Sequence, residues 1–174
     1  MNFKISKRAF QSALNIVARA ISSNSPLPAL SGIKMEVEHD SITLTGSDSD
    51  ISIQTVLHGS DEDCGLIVKE AGSIVIEAKY ILEIVRKIDA DEIELEIVDG
   101  SLTRISGMSA EFRINGMRAM DYPAIDFTRP SQQLQMDADL LLKIISQTTF
   151  ATSDRETRPV LTGVNMKCNG SHLE

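Results

Sequence analysis

Two spacings of apolar residues alternate along the chain. Phe10, Ala13, Leu14, Val17 and Ile21 lie on one face of a 3.6-residue period, so a helix is predicted there. Ser6 stands just before it, a residue type suited to cap the first turn. Phe3 to Ile5 reads as a short strand leading into the cap, and Ser22 to Pro28, with Ser, Asn and two Pro, ends the helix. Beyond this break Ile33-x-Met35-x-Val37, Ile42-x-Leu44 and Ile51-x-Ile53 alternate with period two, as half-buried strands do.

The same plan returns twice. Pro28-Ala-Leu-Ser-Gly-Ile-Lys-Met35 matches Pro159-Val-Leu-Thr-Gly-Val-Asn-Met166, 131 positions on, and the match extends upstream without a gap. Ile5 meets Met136, Phe10 meets Leu141, Ala13 meets Ile144, Leu14 meets Ile145, and the capping residue Ser6 meets Asp137. A weaker copy lies between. Ile5, Phe10, Leu14 and Val17 match Ile76, Ile81, Val85 and Ile88, 71 positions on; Ile33, Met35, Val37 and Ile42 match Ile93, Leu95, Ile97 and Leu102, 60 positions on. The change of offset is a length difference in the loop between helix and strand. Turns fall at equivalent places, His39-Asp40, Asp99-Gly100 and Asn169-Gly170, the last two being strong hairpin signals because Gly accepts positive φ.

Each repeat reads β-α-β-β with a further strand where the chain allows it. Units at about 1–59 and 73–117 make one domain, with the second helix at Ala78 to Ile88 and strands at Ile93 to Val98, Leu102 to Ser106 and Glu111 to Ile114. Residues 118–131, with Pro123 and Pro130, read as an interdomain linker. Residues 132–174 read as the first unit of a second domain, cut off at Glu174 early in its third strand, so the chain is expected to be a fragment or a truncated product. Amphipathic helices on hairpin-linked strands make an α+β class, with two helices side by side on a mostly antiparallel sheet and their outer faces forming one helical surface.

Composition narrows the function. Hydrophobic residues make up 42% and charged residues 24% of 174, an ordinary globular balance. No apolar run reaches the length of a membrane helix and no secretory signal opens the chain, so no membrane partner and a cytoplasmic location are expected. Cys64 and Cys168 show no metal-type spacing and are expected to be reduced. His39, His58 and His172 do not recur at equivalent positions, and no nucleophilic triad can be assembled from them. Gly46-Ser-Asp-Ser-Asp50 opens like a calcium loop but lacks the rest of that motif, and Glu92, Glu94 and Glu96 read as a solvated strand face. No enzyme, cofactor or metal site is expected.

The net charge of −8 argues against a nucleic-acid partner only until its distribution is considered. The predicted helix faces carry Lys7, Arg8 and Arg19, then Lys79, Arg86 and Lys87, then Lys143, with Arg155 and Arg158 following, while Glu83 and Asp139 are the exceptions. Acidic residues collect in strands and turns. A basic helical surface without interleaved aromatics suits sequence-independent contact with a phosphate backbone rather than base stacking.

Leu27-Pro-Ala-Leu-Ser-Gly-Ile33, Leu44-Thr-Gly-Ser-Asp-Ser-Asp-Ile-Ser-Ile53, Asp121-Tyr-Pro123 and Glu156-Thr-Arg-Pro-Val-Leu-Thr-Gly-Val164 resemble the bacterial β sliding clamp family, in the family's order and across the whole chain. The resemblance implies the DNA-clamp fold: three domains of two β-α-β-β-β units each, and two chains closing head to tail into a homodimeric ring around duplex DNA. Helices line the hole. The implied function is non-catalytic, tethering DNA polymerase III during replication as its processivity factor. Implied partners are double-stranded DNA, the polymerase core, the clamp loader, and other clamp-binding polymerases and repair proteins, in the bacterial cytoplasm at the replisome.

Carried onto this chain, the implied DNA-facing residues are Lys7, Arg8, Asn24, Lys79, Arg86, Lys143 and Arg155, with Asn24 standing where some members have Arg. The implied ring interface is Ile84, Ile88, Phe112 and Ile114, and Leu161 matches one wall of the pocket for partner peptides. Without a third domain, residues 1–174 alone are expected neither to close a ring nor to hold a polymerase well. The alternatives are a non-ring protein-interaction module, whose binding would not show the salt dependence of phosphate contact, and a small-molecule enzyme, which would need a pocket of convergent titratable groups.

Overall fold

The first strand and helix form where the spacing places them. β1 (Asn2–Ser6) runs into α1 (Lys7–Val17), and the Ser6 hydroxyl accepts a hydrogen bond from the Ala9 amide at 3.5 Å. The computed structural model describes every residue except Ser23, Asn24, Pro26, Arg129, Pro130, Gln132, Gln133, Glu156 and Ser171. The expected DNA-facing residue Asn24 and the expected start of the second domain thus lie outside the described residues. The chain divides into two compact units, Met1–Asp126 and Phe127–Glu174.

In the first unit α1 is followed by β2 (Gly32–Val37), β3 (Ser41–Ser47), β4 (Ser52–His58), β5 (Ile67–Glu70), β6 (Gly72–Glu77), α2 (Ala78–Lys87), β7 (Glu92–Asp99), β8 (Leu102–Gly107) and β9 (Ala110–Asn115). They form two antiparallel sheets, ordered β4-β3-β2-β6 and β5-β1-β7-β8-β9. The opening strand of each repeat leaves its own unit. β1 pairs with β7 of the second repeat, Phe3 opposite Leu95, and β6 pairs with β2 of the first, Met35 opposite Ile74. The two repeats therefore interlock, and the exchange makes them one folding body rather than two.

Their apolar faces meet in a single core. Ile5, Phe10, Leu14 and Val17 are buried there, as are the matched Ile76, Ile81, Val85 and Ile88. Side chains that sit alike in both repeats explain why the weak sequence copy persists. Close approach fixes small residues as well. A Cβ on Gly46 in β3 would lie 2.3 Å from the Val17 carbonyl oxygen at the end of α1, so the helix seats on the strand only if that position is Gly. Gly100 has φ of +56°, as the Asp99-Gly100 hairpin requires.

Two features depart from the sequence reading. The spacing does not predict β5, because Leu66, Ile67 and Val68 form a short apolar run with no alternation, and only its pairing with β1 makes it a strand. The first unit also continues past residue 117. The Val75 and Met117 main chains exchange hydrogen bonds of 3.0 and 2.7 Å, and Tyr122 packs with Ala29, Leu30 and Val75 in a second small cluster. Residues 118–126 belong to the first body, held by that cluster and by the two-pronged Arg118–Asp121 pair at 2.9 and 3.0 Å.

Tyr122 is 5% exposed and its hydroxyl oxygen lies buried without a hydrogen-bond partner of good geometry. Burial pushes its pKa up to about 12, with the nearby Ser47 main chain opposing part of the rise. The folded state therefore keeps a proton that the unfolded chain gives up near 10, and stability present below that pH is lost as pH rises toward about 12. Tyr122→Phe is expected to be neutral or stabilising by up to about 1 kcal/mol at neutral pH, and to reduce the alkaline loss. Urea midpoints at neutral and alkaline pH check this; a neutral-pH loss above about 2 kcal/mol would show that the hydroxyl is well bonded.

In the second unit, α3 (Ala138–Thr148) begins at Asp137, whose carboxylate accepts from the Asp139 and Leu140 amides at 3.0 and 3.2 Å. The cap matched to Ser6 is thus used in both units. β10 (Cys168–Asn169) and β11 (His172–Leu173) pair antiparallel, Cys168 opposite Leu173 and Asn169 opposite His172, and Gly170 has φ +60°. Residues 164–166, expected to be a strand from the repeat, lie outside any regular element, and no described residue of this unit is buried. Both cysteines are free, and no helix among the described residues is long and apolar enough to cross a membrane.

Candidate nucleic-acid interface

Burying Phe10, Ala13, Leu14 and Val17 forces the opposite side of α1 outward, and that side carries Arg8, Ser12 and Asn15, with Arg19 in the following 3-10 turn. Burying Ala78, Ile81 and Val85 does the same for Lys79, Tyr80, Arg86 and Lys87 on α2. The two helices touch and run antiparallel, because the start of α1 meets the end of α2: the Lys7 amide donates to the Asp91 carbonyl at 2.8 Å. Their outer sides form one surface, with a shallow hollow lined by Lys7, Arg8, Gln11, Ser12, Asn15 and Asp91 at the junction.

The cations on this surface are not equivalent. The Lys7 ammonium donates to the Ile88 carbonyl at 2.6 Å, at the negative end of the α2 dipole, so part of its charge serves the fold. Arg86 and Lys87 both bind Glu83, at 2.5 and 2.9 Å, and together hold its carboxyl below the usual range. Lys79 lies 5.8 Å from the Tyr80 ring centre. Arg8, Arg19 and Lys79 make no ion pair among the described residues. The 3.6-residue period places all of these on one surface; it does not show that Lys7 and Arg86 are engaged, because their partners are set by tertiary contact or by rotamer.

The sheet formed by β5, β1, β7 and β8 handles charge differently. Glu92, Glu94 and Glu96 on β7 pair with Lys4 at 2.7 Å, Lys69 at 2.5 Å, and Arg104. Glu92 holds the Lys4 ammonium above its ordinary value, and Lys69 lowers the Glu94 carboxyl. The expected solvated acidic face is thus a cross-strand ladder of matched charges, which adds little net field. Carboxylates without ion pairs among the described residues collect in the connections between strands, at Glu38, Asp50, Glu62 and Asp63, and at the end of β7, at Asp99. Further such carboxylates flank α2, at Glu77, Asp89 and Asp91, whereas the outer sides of α1 and α2 themselves carry more cations than carboxylates.

The expected interface residues fall in two classes. Phe112, 37% exposed, and the half-buried Ile114 lie on β9, an edge of the five-stranded sheet, with Ile84 half-buried on α2. Ile88 is 1% exposed and belongs to the core, where it packs beneath any surface contact rather than forming one. In the second unit Lys143 and Arg155 are exposed, and Leu161 is 52% exposed beside a main-chain hydrogen bond from Ser153 to its carbonyl at 2.9 Å. No group of three or more His, Cys, Asp or Glu able to hold a metal occurs among the described residues.

Several known proteins resemble this chain in sequence and fold. Residues 1–126 match the family model of the DNA polymerase III beta subunit, N-terminal domain. The beta sliding clamp of Halalkalibacterium halodurans is 42% identical over 168 residues, covering 96% of this chain and 44% of the relative. That of Bacillus subtilis is 39% identical over 174 residues, covering 99% and 46%. The crystal structure of the Bacillus subtilis DNA polymerase sliding clamp superposes with a TM-score of 0.94 over 99% of this chain and 46% of that one, at 39% identity. The DNA polymerase III beta chain of Streptococcus pneumoniae TIGR4 superposes at 0.89 with 35% identity, over 93% and 43%. This chain spans under half the length of the relatives it matches. The shared fold and the family match over most of its length establish that it belongs to the β sliding clamp family, the beta subunits of DNA polymerase III.

Proposed function

We propose that this chain acts in DNA replication as part of a ring-forming processivity clamp, with the outer surface of α1 and α2 facing the backbone of duplex DNA. The observation that carries the reading is the segregation of charge. Lys7, Arg8, Arg19, Lys79, Arg86 and Lys87 share a surface with one helical carboxylate, Glu83, in a chain of net charge −8. Such a surface attracts phosphate without reading bases, and it leaves a ring free to move along the duplex. In this reading Lys143 and Arg155, exposed in the second unit, also face duplex DNA. Ile84, Phe112 and Ile114 contribute to the junction between two head-to-tail chains, over the buried Ile88. Leu161 lines part of a pocket for peptides of the polymerase III core, the clamp loader and other clamp-binding proteins. The role is tethering in the bacterial cytoplasm, without catalysis, and closing the ring draws on the further length that the relatives possess.

Triple reversal, Arg8→Glu with Lys79→Glu and Lys143→Glu, tests the surface. The slope of log affinity for duplex DNA against log salt is expected to shrink by about 0.9 for each phosphate no longer neutralised, equally for unrelated DNA sequences. An unchanged slope would favour a protein-docking role for the same surface.

A further inference from the structure

We infer that Glu83 is a charge brake built into the DNA-facing surface, holding Arg86 and Lys87 away from phosphate so that backbone contact stays weak enough for movement along the duplex. The inference rests on the DNA-facing reading above and assigns a role within it. Lys79, Glu83, Arg86 and Lys87 follow one another at spacings of four, three and one, so they form a single stripe on α2. Glu83 is the only carboxylate between residues 78 and 87, and α1 has none. One carboxylate engages two cations at once, Arg86 at 2.5 Å and Lys87 at 2.9 Å, and all three side chains are open to solvent.

The helix gains little that would require this arrangement. Arg86 and Lys87 already lie in the last turn, where the helix dipole favours cations without any partner. An exposed Glu-to-Lys pair at four residues adds only a small increment to helix stability. Its effect on a polyanion is larger. A phosphate approaching Arg86 or Lys87 must displace the carboxylate and meets its like charge. Of the surface cations, Arg8, Arg19 and Lys79 are then the ones open to phosphate, and the number of counterions released on binding falls accordingly.

The test compares Glu83→Gln, Arg8→Gln, and the double variant Arg86→Gln with Lys87→Gln, alone and combined with Glu83→Gln. The 174-residue chain is titrated with a duplex oligonucleotide over a range of salt, with circular dichroism confirming the fold of each variant. Glu83→Gln is expected to steepen the slope of log affinity against log salt by about 1 to 1.8, tightening binding at about 0.1 M salt by up to about 60-fold. The double variant alone is expected to change the slope little, and in the Glu83→Gln background to abolish the gain. If Arg8→Gln flattens the slope while Glu83→Gln leaves it unchanged, the brake is overturned and the DNA-facing reading stands. If neither variant alters binding, or the parent chain shows no affinity for duplex DNA even at low salt, both are overturned.

Discussion

Phe10→Ala is expected to destabilise the first unit by about 3–5 kcal/mol, a large share of the roughly 5–15 kcal/mol that holds a domain together. Phe10 is 0% exposed, and its ring meets that of Phe3 edge-on at 5.8 Å between centroids. That packing joins α1 to β1, and β1 is the strand exchanged into the sheet of the second repeat. Truncation therefore removes buried area, opens a cavity and deletes an aromatic pair at the seam between the repeats. Urea unfolding of the first unit measures it, read as a lower midpoint with an unchanged dependence on urea. Leu141, which the repeat places opposite Phe10, supplies the contrast. It is only half-buried, and no described residue of its unit is buried, so Leu141→Ala is expected to cost less than about 1 kcal/mol. A loss below about 1 kcal/mol for Phe10→Ala would mean that the interlocked core does not carry the fold.

The second large effect is an asymmetry in amide exchange along the chain. Amides in β1, β2 and β7 pair between strands above one apolar core, so their exchange is expected to require unfolding of the body. α3 has eleven residues and buries none of them; Leu140, Leu142 and Ile145 are exposed. An isolated helix of that length is marginal in water, whatever its cap contributes. Protection in the central strands is expected to exceed that in α3 by roughly 1000-fold or more in the 174-residue chain. Exchange mass spectrometry with peptide resolution reads this directly. Comparable protection in both regions would contradict the division into a stable body and a weakly supported one.

Much of the first unit is legible in the sequence because burial imposes period. The faces of α1 and α2, the alternation in β2 and β3 and the glycine turn at Asp99-Gly100 all follow from what a half-buried element needs. Partnership is not legible. Nothing in the spacing of Phe3 and Ile5 says that β1 pairs with β7 of the other repeat, because period two records which face is buried and not which strand lies alongside. β5 escapes for the related reason that pairing alone defines it. The boundary near residue 117 falls too early because Pro123 reads as a breaker, whereas Tyr122 beside it is an anchor packed on Val75. The helical surface is legible as a set of cations. The fraction open to a ligand is not, since the engagement of Lys7 by Ile88 and of Arg86 by Glu83 depends on where side chains end.

If duplex DNA lies against the outer surface of α1 and α2, amide chemical shifts recorded while it is titrated into the chain locate it there. The expected result is perturbation confined within the first unit to the region of Arg8, Ser12, Asn15, Arg19, Lys79 and Arg86, weakening as salt is raised. Perturbation centred on the charge ladder of β1, β7 and β8, or on the edge strand β9, would contradict it.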